Sequence, residues 1–246
     1  MNIINFSGGR TSAYLTKRLI DEGGDYLVTF QNTGKESPET LDFVNECDKR
    51  WNLNIVWLEY RSKNDFAIVD YETASRKGEP FEQAINDEGM IPNQFVRFCT
   101  RKLKKETGER YLKSIGVQDP MFYLGIRHDE PRRWSKRIEK EDNCLPLVKW
   151  RVSKKDVLNW WEKQDFNLLL DEPFGNCDLC FHKKKHKIRS IAISNPELFK
   201  WWEDQEKKIG HHFRSEGSMA FVKKWLLSQT NLFEQEDDAE CFCTID

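Results

Sequence analysis

The sequence has no run of 18 consecutive apolar residues, and this lack argues against a transmembrane helix. The first residues, MNIINFSGG, lack the basic start and apolar segment of a secretory signal, so we expect a cytoplasmic protein. Neither sign of charge dominates, because 39 basic and 41 acidic residues give a formal net charge of −2. Such a balance argues against a general nucleic-acid coat protein, although it permits a local basic patch.

A disulfide framework is also not expected, although the chain has seven cysteines. In a cytoplasmic protein these indicate thiols or ligands of a metal or cluster. A chain of 246 residues is long enough for one large domain or for one domain with an appendage. No internal repeat is apparent, so a repeat architecture is not indicated.

Short apolar runs alternate with helical patterns through the first 60 residues. The pattern predicts strands at 3–6, 26–30 and 54–60, with helices at 12–20 and from residue 38 to about 51. Units of this length favour parallel pairing with right-handed crossovers. Further along, the sequence predicts a helix at 99–116, a strand at 121–126, an extended piece at 143–150 and a helix from Ser153, then helices at 183–193, 195–208 and 218–228.

We therefore expect an α/β fold with an open, mostly parallel, five-stranded twisted sheet, helices on both faces and a helical C-terminal part. The expected division is an α/β domain at 1–165, with a lid or insertion at 61–95, then a helical region at 166–233 and an acidic, cysteine-containing tail at 234–246. Ligands of open α/β sheets bind outside the carboxyl ends of the strands. Because the polar turns 7–12, 31–36 and 127–130 each follow a predicted strand, we expect them to line one rim.

The turn SGGRTS, residues 7–12, joins the first strand to the first helix. A glycine-rich turn at a helix N-terminus offers backbone N–H groups and the positive end of the helix dipole, which suit a phosphate. Glycine equally favours an ordinary tight turn, and the residues alone leave both readings open. The turn matches neither GxxxxGK[ST] nor GxGxxG.

Six segments, in order, resemble those of one protein family. They are SGGRTS, NTGKESPETLDFV (32–44), FCTRKLK (98–104), LGIRHDEPRR (124–133), LPLVKWRVSKKDVLNW (145–160) and GNCDLC (175–180). The first is similar to the PP-loop of ATP pyrophosphatases, and the whole set resembles the phosphoadenosine phosphosulfate reductase family. The similarity covers roughly residues 1 to 190.

The resemblance implies an adenine-nucleotide site. The residues expected to hold the nucleotide are Ser7, Gly8, Gly9, Thr11, Ser12, Asn32, Thr33, Gly34 and Glu36. The residues expected to act in catalysis are Arg10, Lys104, Arg127, Asp129 and Cys241. Arg10 stands where the commonest form of the loop has lysine, so the charge is kept while its geometry changes. Either Asp129 or Glu130 would face Mg²⁺, and Arg132 and Arg133 would face an anionic substrate or the solvent.

Cysteines of the family pattern imply a metal centre. Cys99, Cys177 and Cys180 would give three ligands to a [4Fe-4S] cluster whose open iron could hold a sulfide, or would bind zinc. The fourth ligand could instead be Cys144, Cys241 or Cys243. Zinc is considered because His182 and His186 follow the CxxC pair. The alternative for all three is a reduced, buried thiol, which is also what we expect for Cys47.

Members of the family that cleave ATP keep an intact SGGxxS loop, whereas true reductases tend to lose it. The resemblance therefore implies an ATP pyrophosphatase that adenylates a substrate for sulfur transfer, with a nucleic acid as one candidate acceptor and a sulfur-donor protein as partner. One alternative is a sulfonucleotide reductase that uses Cys241. Another is a nucleotide-sensing or zinc-stapled nucleic-acid-binding module without turnover.

Overall fold

The protein is built around a twisted sheet with helices on both faces. The structure, a computed structural model, describes residues 1–62, 65–135, 143–170, 174–175 and 177–229. Within these residues the sheet has the strand order β4-β3-β2-β1-β5-β6. All neighbouring pairs are parallel except β3 with β4. The predicted open, mostly parallel sheet is confirmed: five strands run parallel, and β4 adds an antiparallel strand at one edge.

The bounds of the elements follow the predicted alternation closely. The strands are β1 Asn2–Asn5, β2 Leu27–Asn32, β3 Val56–Arg61, β4 Asp65–Val69, β5 Met121–Tyr123 and β6 Asn143–Cys144. The helices are α1 Arg10–Asp21, α2 Pro38–Trp51, α3 Glu79–Glu88, α4 Thr107–Ser114, α5 Pro131–Trp134, α6 Pro146–Lys149, α7 Lys154–Trp161, α8 Lys185–Ser194, α9 Leu198–Ile209 and α10 Met219–Ser228. A π-helical segment, Thr100–Glu106, leads directly into α4.

The sheet is covered on both sides because successive strand residues face opposite ways. Ile4 of β1 packs with α1, α2 and α7, in a cluster that includes Leu15, Leu41 and Trp161. Its neighbour Ile3 packs on the other face, against Tyr111 and Leu112 of α4. A separate cluster joins α3 and the π-helical segment to the helical C-terminal part, with residues such as Phe81, Leu103, Phe199, Trp202 and Phe213.

Two local predictions are corrected by the structure. The piece at 143–150 is extended only at Asn143–Cys144, because Pro146 begins the short helix α6. The strand predicted at 121–126 ends at Tyr123. Residues 61–95 contain β4, which pairs with β3, and α3, which packs on β3. The division at residues 165 and 233 stays a prediction, and the tail at 234–246 lies outside the described residues.

The chain order of the strands places a switch point between β1 and β5. From β1 the chain proceeds outward through β2 and β3, and later it returns to the other side of β1 as β5. The carboxyl ends of β1 and β5 therefore face a crevice of the kind that binds ligands in open α/β sheets. In the described part of the chain, no helix is long and apolar enough to cross a membrane.

Candidate functional site

The first loop, residues 7–12, is held in shape by the hydroxyl of Ser12. This oxygen accepts hydrogen bonds from the backbone N–H of Ser7 at 3.1 Å and from the Ser7 hydroxyl at 3.0 Å. It donates in turn to the carbonyl of Gly9 at 2.9 Å. The loop thus curls over the start of α1, where the first N–H groups of a helix point outward. Such an arrangement suits an anion.

Gly8 is required by the geometry of this loop. Its φ is +76°, in the left-handed region that favours glycine. A Cβ at this position would lie 2.6 Å from Cγ2 of Thr40 in α2. Gly9 differs, because its φ is −103° and the nearest atom to a Cβ there would be the Ser7 hydroxyl at 3.8 Å. Gly8 therefore serves packing, whereas Gly9 leaves open space at the mouth of the loop.

Arg10 is turned toward a distant segment of the chain. Its Nε donates to Oδ1 of Asn167 at 2.7 Å, and a second guanidinium nitrogen donates to the carbonyl of Leu168. The carbonyl of Arg10 accepts from Nε1 of Trp161 at 2.9 Å. Arg10, an expected catalytic residue, therefore connects the start of α1 to the segment after α7.

Arg127, after β5, reaches the first loop. Its guanidinium donates to the hydroxyl of Thr11 at 3.2 Å and to Oδ1 of Asp129 at 3.0 Å. Oδ2 of Asp129 accepts from the backbone N–H of Lys154 at 2.8 Å. Gly125 permits this approach, since a Cβ there would lie 3.0 Å from Cα of Ser12. The structure therefore brings the first and third predicted turns together.

The two carboxylates of the third turn have different surroundings. Glu130 is buried, accepts from the backbone N–H of Arg127 at 2.8 Å and pairs with Arg133. The Asp129 side chain is 39% exposed. Of these two candidates, Asp129 is the more exposed, while Glu130 shapes the turn. Arg132 is exposed.

The second loop, residues 32–36, is fixed from within and from β3. Nδ2 of Asn32 donates to Oε1 of the fully buried Glu59 at 2.7 Å, and its Oδ1 accepts from the N–H of Gly34 at 3.1 Å. The carboxylate of Glu36 accepts from the backbone N–H of Thr33 at 2.9 Å and from its hydroxyl at 2.8 Å. These predicted nucleotide-binding residues thus form one rigid turn.

Three predicted ligands, Cys99, Cys177 and Cys180, line one cavity of about 370 Å³ that opens to solvent. Its walls also include Thr33, Thr100, Leu103, Lys104, Phe81, Phe181, Trp202 and Phe213. Sγ of Cys177 lies 3.8 Å from the hydroxyl of Thr33, so the cavity adjoins the second loop. Burial raises the pKa of Cys99, and the positive charges of Lys104 and Arg97 act in the opposite direction. The structure places Lys104 with the thiols.

The donor types in this cavity fit a soft metal, since thiolates favour zinc and iron–sulfur clusters. However, across the described residues no group of three or more His, Cys, Asp and Glu side chains is drawn together as a metal site. Cys144 lies elsewhere, in β6 beside Tyr123. Cys241 and Cys243, the other candidates for a fourth ligand, lie outside the described residues. The metal centre stays a prediction.

Cys47, His182 and His186 lie outside the lining of the thiol cavity. Cys47 is fully buried in α2, as expected for a structural thiol. The ring of His182 packs on Phe181 at 4.5 Å, and His186 lies in the first turn of α8. Neither histidine is among the cavity-lining residues.

Sequence reasoning missed several residues of this site. Trp202, whose helical sequence context indicates packing, forms a wall of the thiol cavity. Lys35 and Asp178, each adjacent to a predicted site residue, form a buried ion pair at 2.6 Å. The only signal for the pair was the position of Lys35 and Asp178 inside two of the family-like segments.

Comparisons with known proteins find one matching domain and several similar proteins. Residues 1–174 match the phosphoadenosine phosphosulfate reductase domain. The chain is 32% identical over 211 residues to the "uncharacterized nin region protein ORF290" of Escherichia phage lambda, covering 80% of this chain and 71% of that protein. It is 29% identical over 220 residues to "uncharacterized protein MJ0973" of Methanocaldococcus jannaschii, covering 84% of this chain and 48% of the relative.

A second protein of the same archaeon, "uncharacterized protein MJ0066", is 26% identical over 236 residues, which cover 91% of this chain and 45% of the relative. The chain thus spans about half the length of these two archaeal proteins. The matched domain covers both predicted nucleotide loops and the Arg127 turn, which supports a nucleotide-related role. From its matched domain and its fold, the chain belongs to the phosphoadenosine phosphosulfate reductase family of the PP-loop superfamily.

Proposed function

We propose that this protein is an ATP pyrophosphatase that binds ATP at the rim formed by the first, second and third turns and adenylates an acceptor for sulfur transfer. The observation that carries the proposal is the intact first loop. Ser7, Gly8, Gly9 and Ser12 are all present, and the Ser12 hydroxyl holds the loop curled over the start of α1. A loop of this kind presents backbone donors to a triphosphate.

Charged residues at the rim would bind the remaining phosphates. Arg127 is held by Thr11 and Asp129, so its guanidinium is oriented before the ligand arrives. Orientation of this kind lowers the entropy lost on binding and stabilises charge that develops in the transition state. Asp129 would contact the Mg²⁺ that accompanies ATP.

The proposed reaction has two steps. An acceptor oxygen attacks the α-phosphorus, the bond from that phosphorus to the α–β bridging oxygen breaks, and pyrophosphate leaves. The acceptor then carries AMP on its oxygen. A sulfur nucleophile from a donor protein attacks the acceptor atom bonded to that oxygen, the bond to oxygen breaks, and AMP leaves. A nucleic acid is one candidate acceptor.

The thiol cavity belongs to the second step of this proposal. Cys99, Cys177 and Cys180 would hold an iron–sulfur cluster or zinc beside the second loop. A bound cluster would supply the site for sulfur delivery. Anaerobic purification with iron and zinc analysis tests this part separately, and a protein that is free of both metals would contradict it. The reductase alternative depends on Cys241, which lies outside the described residues.

Titration calorimetry with Mg²⁺ and a non-hydrolysable ATP analogue tests the nucleotide part. We expect Ser12→Ala to weaken binding by about fivefold, because the loop loses the oxygen that orders Ser7 and Gly9, and one net hydrogen bond is worth roughly 1 kcal/mol. The matched control is Ser190→Ala, which removes an exposed serine hydroxyl bonded to a carbonyl within α8. Equal binding by both variants would refute the proposed site.

A further inference from the structure

The second loop and the CxxC turn, residues 177–180, are joined by backbone pairing and by an ion pair. The backbone N–H of Asp178 donates to the carbonyl of Lys35 at 3.0 Å. Glu36 and Cys177 form an isolated antiparallel bridge. Nζ of Lys35 lies 2.6 Å from Oδ2 of Asp178. These contacts connect a predicted nucleotide loop directly to the turn that carries two of the cavity thiols.

The Lys35–Asp178 pair is enclosed by protein. The two side chains are 8% and 7% exposed. Nζ of Lys35 lies 4.5 Å from the centre of the Trp201 ring, and Nε1 of Trp202 donates to Oδ1 of Asp178 at 3.0 Å. Gly78 allows this packing because it has no Cβ. A Cβ at this position would lie 2.8 Å from both the Lys35 side chain and the Trp201 ring. The pair is thus fixed on the loop side and on the α9 side.

A buried ion pair is a weak source of net stability, since two apolar side chains of similar volume often do as well. Breaking one partner is a different matter, because the remaining charge is then buried alone. The pair makes the second loop and the CxxC turn move together, as neither can shift without separating the charges. Such a shift would also change the position of Cys177 relative to Thr33, because Sγ of Cys177 lies 3.8 Å from the Thr33 hydroxyl.

We propose that Lys35 and Asp178 are positioning residues that couple nucleotide binding at the second loop to the conformation of the CxxC turn. The proposal rests on the proposed function, because it takes the second loop to be a wall of the nucleotide site. A nucleotide that orders residues 33–36 would order residues 177–180 through the pair. The thiols would then be set in place when ATP is bound.

Hydrogen–deuterium exchange on the full chain tests this coupling, because it reads the backbone whether or not the thiols hold a metal. The probe is a non-hydrolysable ATP analogue with Mg²⁺, and the signal is exchange in peptides that cover residues 177–183. In the unaltered protein we expect the analogue to slow this exchange at least fivefold, since ordering of residues 33–36 would hold the CxxC turn in place through the Lys35–Asp178 pair.

Variants separate coupling from support of the fold. At a concentration of the analogue that saturates each variant, Lys35→Met and Asp178→Asn should show exchange slowed less than twofold. The double variant Lys35→Met/Asp178→Asn removes the buried charges together and keeps an oxygen to accept from Nε1 of Trp202, and it should also lose the response. Lys208→Met, which breaks the exposed pair with Glu82, should keep the full response.

The outcomes are distinguishable. A full exchange response in the double variant would overturn the coupling and leave the proposed function standing. So would an analogue that binds the unaltered protein without slowing exchange at 177–183. Failure of the analogue to bind the unaltered protein would contradict the proposed function and the coupling with it.

Discussion

Replacing Gly8 by alanine tests the structure of the first loop most sharply. A residue with a Cβ at φ +76° is disfavoured by about 1–2 kcal/mol. The new methyl group would also lie 2.6 Å from Cγ2 of Thr40, and overpacking of this kind costs about 1–3 kcal/mol. Together these terms predict a loss of roughly 2–5 kcal/mol in the free energy of unfolding.

Gly9→Ala is the matched control, because Gly9 has an ordinary extended backbone and open space around it. Its unfolding free energy should stay within about 1 kcal/mol of the unaltered protein. Urea unfolding, followed by circular dichroism, measures both variants. Equal stability of the two variants, or a stable Gly8→Ala protein, would refute the reasoning about this loop.

The same pair of variants separates folding from binding. In Gly9→Ala the methyl group would stand 3.8 Å from the Ser7 hydroxyl, at the mouth where phosphates must approach the backbone. We expect this well-folded variant to bind Mg²⁺-ATP analogues about tenfold more weakly, a change of about 1.4 kcal/mol. Calorimetric titration gives the constant, and unchanged affinity would place the nucleotide elsewhere.

Further predictions concern the rim and the C-terminal helices. Arg127→Lys keeps a charge but not the forked contact, so ATP affinity should fall about tenfold in calorimetric titration, whereas Arg132→Lys at an exposed position should change nothing. Asn32→Ala deprives buried Glu59 of a donor and should lower the unfolding free energy by about 1–3 kcal/mol in urea titrations; an unchanged value would contradict the role assigned to Asn32. Burial raises the pKa of Glu206 above 4.5, so the stability that this group contributes is complete below pH 4.5 and is lost as the pH rises through its folded pKa. In Glu206→Gln the unfolding free energy should therefore fall less steeply with pH above 4.5 than in the unaltered protein. An unchanged slope would contradict the effect assigned to Glu206.

Local chemistry made the rim predictable. Glycines and hydroxyls at the end of the first apolar run indicated a turn between β1 and α1, and the structure has that turn at Ser7–Ser12. The contact of Arg127 with Thr11 followed from a general property of parallel sheets, whose strand ends meet at one edge. The sequence therefore predicts which turns lie together at the ends of the strands.

Interactions between distant segments away from the strand ends were not predictable. The partner of Arg10 lies 157 residues away, in an irregular segment that has no periodic pattern to place it. Lys35 and Asp178 meet only because α9 and the CxxC turn fold against the second loop. The short helix α6 was missed because Leu147 and Val148 also suit a strand, whereas Pro146 begins a helix.

The central claim is cleavage of ATP between its α and β phosphates. The direct measurement is product analysis with ATP labelled on the α-phosphate, in the presence of Mg²⁺ and a panel of acceptors that includes nucleic acids. The account predicts labelled AMP, free or attached to the acceptor, together with an equal amount of pyrophosphate. Labelled ADP with inorganic phosphate, or intact ATP under every acceptor condition, would contradict it.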